Sequence, residues 1–126
     1  MLAGRWAVRM ALKDIYYNDE LVDDVLVDEY SRPLNKTGYA KLLGSIREQY
    51  FSPEFTRMSQ SYGRVRVPVL IVWGNNDKWV PLLNGAKLEL SLDDSCLHVI
   101  PNAGHLAHQE LPDMVNPIII QFLETD

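Results

Sequence analysis

One stretch limits what this chain can fold into: Val65-Arg66-Val67-Pro68-Val69-Leu70-Ile71-Val72-Trp73-Gly74, almost unbroken in apolar, mostly β-branched residues from Val67 to Trp73. A strand with one wet face alternates apolar and polar side chains. A run without alternation suits a strand covered on both faces, inside a parallel sheet. Pro68 cannot donate to a ladder and belongs near the strand's beginning. A parallel neighbour requires a crossover, and the sequence supplies one. A loop from Asn75 to Pro81 leads to a helix-like segment from Leu82 to about Leu90, then to a short strand, Cys96-Leu97-His98-Val99-Ile100, ended by Pro101. From about Pro112 to Leu123, residues Met114, Val115, Ile118, Ile119, Phe122 and Leu123 form an amphipathic segment that packs back on the sheet, with Pro117 bending or delaying it.

Before residue 61 the periodicity is helical. Val8, Ala11, Leu12, Ile15 and Tyr16 recur at spacings of three and four between Arg5 and Tyr17, as on an amphipathic helix. Asn18 or Asp19 caps a second helix, with Leu21, Val22, Val25, Leu26 and Tyr30 on one face and Asp23, Asp24, Asp28 and Glu29 on the other, stopped at Ser31-Arg32-Pro33. Thr37 caps a third through Tyr50, before Ser52-Pro53. The expected division is a helical region over 1–60 and an α/β segment over 61–126.

Composition narrows the function classes. With 47% hydrophobic and 23% charged residues the chain belongs with packed globular proteins. A net charge of −5 argues against attraction to nucleic acid or anionic membranes, which calls for clustered Lys and Arg. No apolar run approaches the roughly 20 residues of a membrane span, and no targeting segment is found, so localisation stays open. Cys96 is the single cysteine, which rules out an internal disulfide. The first strand is not followed by Gly-x-Gly-x-x-Gly or a P-loop, and His98, His105 and His108 match no usual zinc spacing, so neither a cofactor nor a metal is expected.

Two loops carry the chemistry. In doubly wound folds the residues just past the carboxyl ends of the strands meet the substrate. Asp77 follows the first strand and His105 follows the second, so both side chains can rise above neighbouring strands and approach each other. An imidazole that removes a proton from a hydroxyl needs its other ring nitrogen held by a carboxylate, which fixes the tautomer and stabilises the imidazolium. Asp77 can also cap the next helix or close an Asx turn. His98 reads as a strand residue, His108 as a pocket-edge residue, and Glu110 as the anchor of the loop bearing His105. Trp6, Tyr16 and Tyr17 suit either an acyl pocket or helix packing.

These residues resemble the C-terminal signature of the α/β-hydrolase family. Gly74-Asn75-Asn76-Asp77 with Val80-Pro81 looks like the family's acid-bearing loop, and Gly104-His105-Leu106-Ala107-His108-Gln109-Glu110-Leu111-Pro112 has its Gly-His-x-x-x-x-Glu-x-Pro arrangement. The clear matches cover about Val65 to Asp126, and the helical region before them resembles the family's lid. The resemblance implies a truncated α/β-hydrolase, a helical lid followed by the last βαβα unit of a parallel sheet, with Asp77 and His105 as catalytic residues.

The family's Gly-x-Ser-x-Gly nucleophile elbow is absent. Ser59-Gln60-Ser61-Tyr62-Gly63 lacks the first Gly and precedes a strand instead of following one. The expectation is therefore a truncated chain, inactive alone, whose full-length form is a serine esterase or lipase acting on a small apolar ester. The alternatives are the epoxide hydrolase or dehalogenase branches with an Asp nucleophile, and a non-catalytic interaction module that self-associates or pairs through an exposed sheet edge.

Overall fold

The computed structural model describes residues 2–35 and 61–125. Helix α1 spans Leu2–Ile15; a 3₁₀ turn, Asp19–Leu21, leads to α2, Asp24–Ser31, and a second turn, Pro33–Asn35. A further 3₁₀ turn, Tyr62–Arg64, precedes β1 (Val69–Gly74), α3 (Leu82–Leu90), β2 (Ser95–Ile100), α4 (Ala107–Glu110) and α5 (Pro112–Glu124). The helix expected from Thr37 to Tyr50 falls outside the described residues.

In the helical region the element types match expectation and the boundaries shift for identifiable reasons. Helix α1 ends at Ile15, short of Tyr17, because Glu110 captures the next free amides: Tyr17 N donates to its Oε2 at 2.7 Å and Asn18 N at 3.2 Å. The expected second helix divides into two pieces. Asn18 Oδ1 accepts from Glu20 N at 3.0 Å and closes only a 3₁₀ turn, while Asp23 Oδ1 accepts from Leu26 N at 2.8 Å and is the true N-cap of α2. Between them Val22 is buried beside Leu12, Tyr16 and Val27, with Val8, Ile15, Leu26 and Leu106 packed around. Leu106, from the histidine loop, is the member of this group that comes from the C-terminal half.

Strands β1 and β2 pair in parallel, Val69 opposite Ser95 and Gly74 opposite Ile100. Strand β1 begins at Val69, immediately after Pro68, as a residue without an amide proton requires. The second core cluster, Ile100, Ala103, Ala107 and Val115, takes in Val72, Leu111 and Ile118 and packs α4 and α5 onto one face of the sheet. On the other face α3 lies against β1 through Gly85. A Cβ there would come within 2.9 Å of the Trp73 ring, which explains a glycine in mid-helix. Helix α5 starts with Pro112 in its first turn and continues through Pro117 to Glu124, so Pro117 does not delay it.

Candidate active site

The two site loops begin side by side because their strands end in register. Asn75 N donates to Ile100 O at 3.0 Å, Asn76 N to Ala103 O at 3.0 Å, and Asn102 N to Asn75 Oδ1 at 3.0 Å. Asn102 turns the second loop with φ of 55°, a left-handed conformation that Asn tolerates better than most residues. The approach is close enough to exclude a side chain at Gly74, whose Cβ would lie 2.1 Å from Gly104 O.

Above this zipper His105 Nδ1 and Asp77 Oδ2 are 2.8 Å apart. The Asp77 side chain is 4% exposed and that of His105 35%, so the carboxylate sits beneath a ring that can be reached from solvent. Asp77 Oδ1 accepts from Trp79 N at 2.9 Å and from Val80 N at 2.8 Å. The Asx turn read from the sequence as a competing role thus coexists with the histidine contact, each taking one oxygen. With Nδ1 engaged, Nε2 is the nitrogen left to exchange a proton. The half-exposed Trp79 ring lies beside the imidazole, centroids 5.8 Å apart and planes at 37°.

A cleft of about 360 Å³ opens at this pair, walled by apolar Val72, Ala107, Val115 and Ile119, with Asp77, His105 and His108 as its polar groups. Among the described residues none of those lining it is Ser, Thr or Cys. Ser61 sits just before the Tyr62–Arg64 turn that leads into β1, and Gly63 lies nearest Ser91 at the end of α3. That is the amino end of the strand, opposite the site. His108 stands at the cleft, and His98 is an exposed residue of β2. Trp6 and Tyr17 do not line the cleft and are 67% and 45% exposed, and Tyr16 is buried in the helical core.

The histidine loop is held to α1, the residues just after it and α2, and of the groups involved sequence reasoning named only Glu110 as an anchor. Glu110, 7% exposed, accepts from Gly104 N at 2.6 Å through Oε1 and from Tyr17 N and Asn18 N through Oε2. His105 N donates to Ile15 O at 2.8 Å. The phenols of Tyr16 and Tyr30 both donate to Gln109 Oε1, at 2.6 and 2.9 Å. Burial pushes the Tyr16 phenol up to about 12, with the neighbouring Tyr30 and Glu110 adding to the shift. Apart from Gly104 to Glu110, no local motif announces these contacts, because their partners lie 79 to 93 residues apart.

Comparison with known proteins places this architecture. No family model matches the chain. It is 32% identical over 107 residues to the 2-hydroxy-6-oxononadienedioate/2-hydroxy-6-oxononatrienedioate hydrolase 2 of Pseudomonas putida, covering 84% of this chain and 35% of that protein. The structure superposes with a TM-score of 0.76 on a serine hydrolase involved in carbazole degradation, at 28% identity, covering 97% of this chain and 48% of the other. It superposes with a TM-score of 0.74 on an α/β-hydrolase-fold protein of Burkholderia ambifaria, at 25% identity, covering 95% and 44%. The chain has the fold of the C-terminal part of an α/β-hydrolase, and it spans less than half the length of these relatives. In fold it also resembles a meta-cleavage product hydrolase, with a TM-score of 0.79 at 22% identity, covering 97% of this chain and 46% of the other. Among the described residues no helix is long and apolar enough to cross a membrane.

Proposed function

We propose that Asp77 and His105 are the acid and the histidine of a hydrolytic triad whose nucleophile this chain does not supply. In this reading residues 1–60 form a lid region over the core segment 61–126. The observation that carries it is the 2.8 Å contact between His105 Nδ1 and a buried Asp77 oxygen, with the ring open to a largely apolar cleft. In the longer polypeptide a serine hydroxyl would attack a substrate carbonyl. His105 Nε2 would take its proton and return it to the leaving group, and Asp77 would hold the imidazole and stabilise its cationic form.

The apolar walls favour a small, largely apolar acyl compound such as an ester. The names of the relatives add 2-hydroxy-6-oxo dienoate-type carbonyl compounds as a second substrate class to try. By itself the chain lacks both the attacking group and the oxyanion donors, and we expect no turnover from it.

Two measurements test this reading. The isolated chain, given p-nitrophenyl butyrate, is expected to match buffer; hydrolysis abolished by His105→Ala would contradict the claim of inactivity. In a longer gene product carrying a Gly-x-Ser-x-Gly elbow upstream, His105→Ala is expected to lower kcat by a factor of about 10³ or more. An unchanged kcat would remove His105 from the reaction, and an Asp at the elbow centre would redirect the assignment to epoxide or halide chemistry.

A further inference from the structure

Asp77 fixes one ring nitrogen of His105, but a single hydrogen bond leaves the ring free to swing with its own backbone. What fixes that backbone is a closed ring of hydrogen bonds. Starting at the end of α1, Tyr17 N and Asn18 N donate to Glu110 Oε2 at 2.7 and 3.2 Å; Glu110 Oε1 accepts from Gly104 N at 2.6 Å; and His105 N, one residue on, donates back to Ile15 O at 2.8 Å. The space inside this ring is too small for any side chain at position 104, where a Cβ would lie 2.2 Å from Ile15 O and 2.9 Å from both Glu110 Oε1 and Tyr17 N. Glu110 is therefore clamped between two segments that have no other reason to share a carboxylate.

We propose that Glu110 is a positioning residue that aims the His105 imidazole, acting through the Gly104 amide and the Ile15–Asn18 segment after α1. The inference rests on the reading of Asp77 and His105 as a catalytic pair. Both carboxylate oxygens must accept, because amide protons face it from two sides. Glutamine cannot substitute: whichever way its amide is turned, an NH₂ meets an N–H, and a buried donor is left without an acceptor. The coupling also runs in reverse, since any displacement of the Ile15–Asn18 segment pulls on the peptide that carries His105.

The test uses the 126-residue chain and the low-field Nδ1 proton of His105, visible by NMR only while Asp77 holds it. In the wild-type chain we expect a protected resonance. In Glu110→Gln we expect it lost, or exchanging roughly tenfold faster or more, while the amide of Leu97 on β2, held by Glu89 Oε1 from α3, keeps its shift. A resonance unchanged in a folded Glu110→Gln chain would overturn the proposal while leaving the catalytic pair intact. A wild-type chain without any such resonance would overturn the pair itself, and the proposal with it. Should Glu110→Gln not fold, replacement of Tyr17 by its α-hydroxy acid removes a single N–H from the ring. Several-fold faster exchange there is the supporting result, and no change is the contrary one.

Discussion

The acid loop carries its own scaffold, whereas the histidine loop leans on a segment about 90 residues away in sequence. Asp77 is held within its loop by the amides of Trp79 and Val80, and the loop is pinned from below by the Trp73 indole, which donates to Val80 O at 2.9 Å. The main-chain and carboxylate supports of His105 are Ile15, Tyr17 and Asn18, reached through Glu110 and through its own amide. Asp77 is thus held from its own loop and the adjoining strand, and His105 from the helical region. A loop that depends on a distant segment is a place where local stability can fall below the global value, and such a loop can respond to what happens at the Ile15–Asn18 segment.

The sharpest way to break this asymmetry is Gly104→Ala. Its Cβ would press on backbone atoms of the α1 end as well as on Glu110, and backbone cannot give way as a side chain can. We expect a loss of about 3 kcal/mol in a denaturant melt, with the amides of Tyr17 and Asn18 losing protection before those of β1.

Glu110→Gln comes next, at about 2 kcal/mol for one buried donor left unsatisfied. Tyr16→Phe should cost about 1 kcal/mol by removing one of the two phenols on Gln109. It also carries a pH signature. The Tyr16 phenol rises from 10.0 to about 12 on folding, so the folded state favours the neutral form. Its contribution is complete below pH 10 and is lost as pH rises through 12, so the stability difference between wild type and Tyr16→Phe should shrink across that window. A constant difference from pH 9 to pH 12 would contradict this account of the phenol.

The smallest effect on stability is expected at Asp77→Asn, no more than about 1 kcal/mol. The Asn oxygen can still accept from Trp79 N and Val80 N, and only the group facing the histidine changes. If Asp77→Asn proved as damaging to stability as Glu110→Gln, the acid loop would not be self-supporting. In a longer, active polypeptide the same change is expected to lower kcat by about 10⁴-fold, since an amide holds the imidazole in the wrong tautomer.

What the sequence disclosed follows the same division. The strand Val69–Gly74, the crossover and β2 are legible because an unbroken apolar run admits few structures, and the approach of Asp77 to His105 because each sits just after a strand end. The boundary of α1 and the splitting of the second helix are not. Helical periodicity continues through Tyr16, and Asn18, Asp19 and Asp23 are all competent caps. The deciding partner is the carboxylate of Glu110, which no local reading places beside Tyr17. Glu110 itself was recognised as an anchor from its motif, without any indication of what it anchors to. For Tyr16 the sequence leaves a substrate pocket and helix packing both open, and its burial in the helical core decides for packing.

The claim on which the rest stands is that Asp77 fixes the tautomer of the His105 ring. Long-range ¹H–¹⁵N correlation on histidine-labelled protein at a pH where the ring is neutral reads this directly. The account predicts a proton on Nδ1 and a bare Nε2 in the wild-type chain, with Asp77→Asn moving the proton to Nε2. A wild-type ring already protonated at Nε2, or one whose tautomer ignores the substitution, would contradict it.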